Sequence, residues 1–256
     1  MNDKDIEKNR YNEFSKKNTE LLQAEGHLKS IGANSIPVFF RPPYIAYEKQ
    51  LENLVKLTKS TKLLDLCCGD GIHSFTGAKY GADVIALDYA ENSIVLAKKR
   101  SESIGLEVDF RTCDVENLPF ESEKFDIITC VGSLSYLDHE VFIKEVKRVL
   151  KPKGKFLVLD SFNYNPIYKL NRYIHFIRGN RTFSTLKRMP NNQLLKKINE
   201  SFSNLEVEYF GIFIFLAPLF FRFLSPSSAS RIIQSLDRMF HLFKRYSFKI
   251  LFIATK

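Results

Sequence analysis

Between residues 62 and 159 the chain alternates strand-length apolar runs with helical stretches. The runs are Lys62–Cys67, Asp83–Leu87, Leu106–Phe110, Phe125–Cys130 and Lys155–Leu159. Helical patterns lie near Ile72–Tyr80, Asn92–Ser101 and Glu140–Leu150. Continuously apolar strands separated by helices can be satisfied only in a parallel sheet covered on both faces. Gly81, Gly105 and the turn Lys151-Pro152-Lys153-Gly154 each follow a helix, where a left-handed residue or a breaker is expected. Two further strands, near Leu205–Tyr209 and Ser247–Thr255, bring the count to seven. The expected fold class is α/β, doubly wound, with helices on both faces and helical elaborations after strands five and six.

The flanks divide the chain without a linker. Residues 1–43 read as an N-terminal helical segment, in which Pro37, Pro42 and Pro43 force an extended stretch. A helix from about Tyr44 to Thr58, carrying Leu51, Leu54, Val55 and Leu57, leads into the sheet. Residues 44–256 form the main domain, elaborated at 161–199 and 211–246. The second elaboration joins the Phe-rich run Phe210–Phe221 to a helical stretch near Pro226–Phe243. That run is shorter than the roughly 20 residues of a spanning helix and contains Gly211 and Pro218.

Charge is distributed unevenly. Residues 161–256 hold 15 Lys/Arg against 4 Asp/Glu, whereas the whole chain of 256 residues carries +9. The first 160 residues are therefore slightly acidic, and the excess belongs to the last third. Such asymmetry points to a polyanionic or membrane-surface partner for one part only. Cys67, Cys68, Cys113 and Cys130 show neither C-x-x-C spacing nor zinc-like histidine partners, so no metal site is expected and reduced thiols in a cytoplasmic chain are the reading.

The segment Asp65-Leu-Cys-Cys-Gly69-Asp-Gly71 joins the first strand to the first helix. Its glycines permit positive φ and close approach of a ligand to the backbone. In a doubly wound sheet this turn lies where ligands bind. The match to the dinucleotide pattern is imperfect, because Ser74 replaces its third glycine. A carboxylate at Asp65 would repel a pyrophosphate and suits a ligand with an ammonium group.

This segment resembles the first motif of class I S-adenosylmethionine-dependent methyltransferases. Val84-Ile-Ala-Leu-Asp88-Tyr89 resembles the second strand, ending in the acid that holds the ribose hydroxyls. Phe110-Arg-Thr-Cys113-Asp114-Val115 resembles the adenine-binding end of the third strand. Phe125-Asp-Ile-Ile-Thr-Cys130-Val-Gly-Ser133 resembles the fourth, whose following loop faces the reacting methyl group. Arg148-Val-Leu-Lys-Pro-Lys-Gly154 matches the turn into the fifth strand. The resemblance implies a mostly parallel seven-stranded sheet with an antiparallel last strand. It implies S-adenosylmethionine as cofactor and S-adenosylhomocysteine as product. The residues it assigns to the cofactor are Asp65, Cys67, Gly69, Gly71, Asp88, Tyr89, Cys113, Asp114, Val115, Cys130 and Ser133. One departure stands out: the family's usual first glycine is Cys67, whose side chain should narrow the methionine pocket.

No base is fixed in this family, so candidates come from the loops after strands four and five. They are His175, Tyr136 and His139. Tyr44, beside Arg41 and Tyr47, falls where many relatives fold an N-terminal lid over the cofactor. The acid-free stretch 161–199 carries Arg172, Arg178, Arg181 and Arg188 with Tyr173, and arginine forks match phosphate geometry. These residues are expected to bind an anionic small-molecule or lipid-linked acceptor. Residues 165–190 also resemble, more loosely, segments in methyltransferases of bacterial surface-polysaccharide pathways. The leading expectation is thus O-methylation of a glycan or capsular precursor. Methylation of a quinone or lipid at the inner face of the membrane is the alternative, since aromatics flanked by cations fit interfacial contact. RNA methylation ranks lower for want of an RNA-binding module, and a non-catalytic scaffold lower still. The sequence leaves the oligomeric state open.

Overall fold

A computed structural model describes residues 3–25, 31–57 and 60–256. Strands β1 (Lys62–Leu66), β2 (Asp83–Asp88), β3 (Asp109–Thr112), β4 (Phe125–Val131), β5 (Leu150–Ser161), β6 (Asn204–Phe210) and β7 (Lys249–Thr255) form one sheet. Their order is β3-β2-β1-β4-β5-β7-β6. The first five pair in parallel, and β7 runs antiparallel between β5 and β6. The expected doubly wound sheet is what the chain forms.

Helices α1 (Asp3–Glu25), α2 (Pro42–Lys56), α3 (Ser74–Lys79), α4 (Glu91–Ile104) and α5 (His139–Val149) accompany the first five strands. Helices α6 (Pro166–Ile177), α7 (Phe183–Lys187) and α8 (Asn192–Ser201) follow β5. Helices α9 (Ala217–Phe221) and α10 (Pro226–Met239) lie between β6 and β7. Alternate strand residues feed two cores. Leu64, Leu66, Ile128 and Phe156 pack with Phe142 and Val146 of α5 and Leu194 of α8. Leu63, Ile127 and Leu157 pack with Tyr47, Leu51 and Val55 of α2.

Boundaries differ from the sequence expectations where local geometry intervenes. β3 starts at Asp109, not Leu106; Leu106 and Val108 pack beside α4 as the chain approaches the strand. β5 starts at Leu150, because the turn at Lys151–Gly154 is absorbed into the strand as an irregularity with Lys153 at φ 63°. Pro37 holds Ile36 extended, but between two 3-10 turns, Gly32–Ser35 and Val38–Phe40. Helix α10 stops at Met239 and a 3-10 turn, His241–Tyr246, takes over. The Phe-rich run folds into a 3-10 turn, Ile214–Leu216, followed by α9. Thr58, the expected end of α2, lies outside the described residues. Among those residues no helix is long and apolar enough to cross a membrane.

Two positions beneath the first loop hold it in place. Gly71 has φ +80°, and a Cβ there would stand 2.7 Å from Cζ of Phe110. Its glycine is demanded by core packing. Asp65, fully buried on β1, accepts hydrogen bonds from Ser74 Oγ at 2.6 Å and Thr129 Oγ1 at 2.7 Å. It thereby ties β1 to the start of α3 and to β4. Burial pushes its carboxyl up to about 6 from an ordinary 3.8.

Gly71→Ala should cost at least about 2 kcal/mol in urea unfolding, from the left-handed backbone and the clash together. A loss below about 0.5 kcal/mol would show that Phe110 yields freely. Asp65 sets a pH signature. Its folded-state affinity for a proton exceeds the unfolded one, so its contribution falls as pH rises from about 4 to about 6. His73 acts oppositely: burial lowers it to about 4 from 6.5, so its contribution grows as pH rises through that window. Asp65→Asn removes only the falling part. Its stability relative to the parent should improve by on the order of 2 kcal/mol between pH 4 and 6.5. Parallel stability–pH curves for the two proteins would refute this.

Candidate functional site

The strand order reverses at β1, and a cavity of about 290 Å³ opens at the carboxyl ends of β1, β2 and β4. Its floor is the loop after β1. Gly69 has φ +56°, and a Cβ there would meet nothing within 4 Å. Its freedom therefore serves the turn and leaves the backbone open to the cavity. Cys67 keeps the same left-handed backbone, at φ 57°, without being glycine. The loop thus holds a glycine-like conformation at this position with a thiol on the cavity wall.

Asp88 closes β2 at the rim. One carboxylate oxygen accepts from Gly69 N at 2.8 Å and the other from Ala90 N at 2.8 Å. A carboxylate offers about four acceptor positions, so both oxygens retain capacity toward the cavity. Burial raises its affinity for a proton, and these backbone donors oppose that. Tyr89, Asp114, Val115 and Ser133 complete the wall with Gly132. Asp114 accepts from Glu116 N at 3.0 Å and is paired with Lys4 Nζ at 2.6 Å.

Helix α1 covers this cavity through Lys4, Glu7, Lys8 and Tyr11. It is held by Lys8 to Glu91 at 2.6 Å, by Ser15 to Ser93 at 2.8 Å, and by Tyr11 to Tyr136 at 3.0 Å between hydroxyls. Lys8 also stands 4.4 Å above the Tyr89 ring. None of these α1 residues stands out in the sequence as a site residue. Their spacing at 4, 7, 8 and 11 is one helical face and is the signal that could have found them.

The expected cofactor residues separate into two sets. Cys67, Gly69, Asp88, Tyr89, Asp114, Val115 and Ser133 line the cavity. Asp65, Gly71, Cys113 and Cys130 do not. Asp65 and Gly71 support the loop from below, Cys130 is fully buried in the core, and Cys113 packs against that core's margin.

Of the three base candidates only Tyr136 reaches the cavity. His139 donates Nε2 to the carbonyl of Leu134 at 2.9 Å, and its burial lowers its proton affinity. His175 lies on α6 with Asn180 as its neighbour at 3.5 Å. The arginines do not converge on a clamp. Arg172 is buried and donates to the carbonyl of Phe162, with desolvation lowering it to about 10. Arg188 faces Asp138 at 3.6 Å, and Arg178 and Tyr173 are exposed. Neither these nor Arg181 line the cavity or the larger one beside it.

Tyr44 does line it, stacked on His73 with ring centroids 5.4 Å apart and planes 14° apart. His73, read from sequence as a loop neighbour, is half-buried on the cavity wall and neutral, and its shielded Nδ1 has no partner among the described residues.

Residues 64–158 match the family described as "Methyltransferase domain". A ubiquinone biosynthesis O-methyltransferase from Coxiella burnetii is 34 % identical over 132 residues, covering 51 % of this chain and 54 % of that protein. A demethylmenaquinone methyltransferase from Lactobacillus johnsonii is 33 % identical over 137 residues, covering 51 % and 56 %. The matched region thus spans about half the length of these curated relatives. Among solved structures, a geranyl diphosphate C-methyltransferase from Streptomyces coelicolor A3(2) superposes with a TM-score of 0.54 at 18 % identity, covering 81 % of this chain and 78 % of that one. Residues 64–158 thus match a methyltransferase domain, and the sheet order and first-loop geometry give the chain the fold of class I S-adenosylmethionine-dependent methyltransferases.

Proposed function

We propose that the protein transfers a methyl group from S-adenosylmethionine to an oxygen of an apolar, quinol-like or lipid acceptor that it meets at a membrane surface. The observation that carries the cofactor half is the Asp88 carboxylate, anchored by Gly69 N and Ala90 N beside an unobstructed loop backbone. The residues fit the group: Asp88 suits the ribose hydroxyls, and Tyr89, Asp114 and Val115 frame an aromatic base. Cys67, Gly69 and Ser133 face the amino-acid end. When bound, S-adenosylmethionine supplies an electrophilic methyl on a sulfonium. The protein's share is to align it, exclude water and desolvate the acceptor. Helix α1 serves as the lid, since its Lys4, Lys8 and Tyr11 contacts reach both Asp114 and Tyr136.

The acceptor half rests on the surface of the elaborations. Helix α10 and the turn after it expose Met239, Leu242 and Phe243 beside Arg238, Lys244 and Arg245. Phe223 near α9, and Leu170 and Ile177 on α6, are equally exposed among cations. Apolar side chains ringed by positive charge match an anionic bilayer. The names of the relatives from Coxiella and Lactobacillus support the same quinone-type reading over the glycan one. The glycan reading needed an arginine clamp, and those arginines are dispersed.

Asp88→Ala should weaken S-adenosylhomocysteine binding about 100-fold in calorimetry, the equivalent of two hydrogen bonds to a charged acceptor. Unchanged affinity would remove the cofactor assignment. The full chain should sediment with vesicles containing phosphatidylglycerol at low salt and be released at high salt. Leu242→Asp with Phe243→Asp should abolish the association. Equal sedimentation with neutral vesicles at all salt concentrations would rule out this surface.

A further inference from the structure

A second and larger cavity, of about 670 Å³, shares no lining residue with the first and meets it at Tyr44, whose chain neighbours Pro43 and Ile45 line it. Its walls are the segment 38–43 with Ile45, the end of β6, helix α10 and the start of β7. Val38, Phe40, Phe210, Ile214, Ile233 and Phe248 make most of it apolar. Its size falls within the range of small-molecule sites.

Its position follows from the one antiparallel strand. Lys249 begins β7 and pairs in register with Ser161 at the end of β5 and Phe210 at the end of β6. The start of β7 is thereby brought to the carboxyl edge of the sheet, where ligands of such folds bind. Lys249 lines the cavity and is only 7 % exposed. Its ammonium makes no hydrogen bond or ion pair with any described residue; its contacts are the rings of Tyr44 at 5.1 Å and Phe248 at 5.5 Å. Burying a cation without a hydrogen-bonded acceptor is costly, and an anionic ligand group would relieve that cost.

The surrounding charges agree. Asp160, the carboxylate whose field reaches Lys249, spends its oxygens on Leu134 N and Ser161 N. Asp237, the acid on the cavity wall, accepts from Gly211 N at 2.9 Å and Phe213 N at 3.0 Å. Arg231, Arg238 and His241 also line the cavity, and the positive charge of Arg172 acts on Asp160 as well. The interior is therefore apolar with a positive end at which Lys249 has no hydrogen-bonded acceptor among the described residues, Asp160 acting on it only through its field. Tyr44 links the two cavities: it lines the cofactor cavity, stacks on neutral His73, and carries Lys249 over its ring.

We infer that this cavity is the acceptor site, that it takes an apolar molecule bearing one acidic hydroxyl of phenol type, and that Lys249 holds that oxygen in its ionised form. The inference rests on the methyltransferase reading for its purpose, but not for its binding chemistry. On binding, the hydroxyl O–H breaks, its electron pair stays on oxygen beside the ammonium, and the proton goes to solvent. An acceptor held this way needs no base from the protein. This accounts for a site in which His139 and His175 stand outside both cavities.

The test uses the full chain and 2-octyl-4-nitrophenol, whose ionised form is coloured. Bound to the parent protein, the phenol should titrate at least about one pH unit lower than free, as expected for a nearby opposite charge. Lys249→Met should weaken binding at least tenfold and abolish the shift, Lys249→Arg should retain it, and both should bind S-adenosylhomocysteine as the parent does. Gln234→Trp, which fills the cavity from α10, should block the phenol and provides a second test if Lys249→Met fails to fold. An unshifted bound phenol, an equal shift in Lys249→Met, binding unaffected by Gln234→Trp, or displacement of the phenol by S-adenosylhomocysteine would overturn the inference. Failure of S-adenosylhomocysteine to bind the parent would instead defeat the methyltransferase reading, while the phenol titration would still decide the role of Lys249.

Discussion

The buried carboxylate of Asp65 is the point on which the site turns. It sits on the central strand, next to the reversal in strand order, with its two oxygens engaged by hydroxyls from α3 and β4. A buried acid is tolerated only when its hydrogen bonds are met, and here each bond fixes a different element. Ser74 fixes where α3 begins, and Thr129 fixes β4 against β1. The loop between Leu66 and Ser74 is thus clamped at both ends. Its left-handed residues at 67, 69 and 71 follow from a short path that must turn sharply. The acid suggested by sequence as a ligand group is instead the support for the backbone that faces the ligand.

With the loop fixed, Asp88 gains its place through Gly69 N, and Cys113 N closes the next strand end onto the Asp88 carbonyl. Successive strand ends are thereby stitched along one rim, from β1 to β3. Helix α1 then covers that rim through ion pairs and the hydroxyl contacts of Tyr11 and Ser15. Lys4 spans Asp114 and Glu116, and Lys8 reaches Glu91. These exposed or half-exposed pairs are individually weak, which suits a cover that must release product.

What was legible in the sequence was whatever depends on near neighbours. Strands β1, β2 and β4 are apolar on both faces and announce themselves. The line of cavity residues from Cys67 to Ser133 follows because each lies at or just beyond a strand end. Gly71 illustrates the limit. It reads as ligand-facing, yet Phe110, some forty positions on, is what forbids a side chain there. His175 and the arginines of 172–188 show the same limit. Helix α6 turns Arg172 inward and Arg178 outward, and no local pattern states which way the helix faces. The start of β5 was missed because Leu150 pairs with Phe125 before the Lys153 irregularity, a partner choice set by the neighbouring strand.

The positive charge of the last third resolves into two physically distinct roles. On α6, α10 and the turn after α10 it decorates exposed apolar residues. At Lys249 it is drawn inside, beneath aromatic rings that attract a cation through their faces. Only an antiparallel last strand could deliver a residue from position 249 to the edge reached by Tyr44, near the other end of the chain. Periodicity and motif spacing cannot express that meeting, since 205 residues of chain separate the two side chains. The sheet topology creates it, because β7 runs antiparallel to β5 and so sets its first residue beside the last of β5, at the ligand edge. The strand that closes the fold is therefore also the one that sets the charge of the larger cavity.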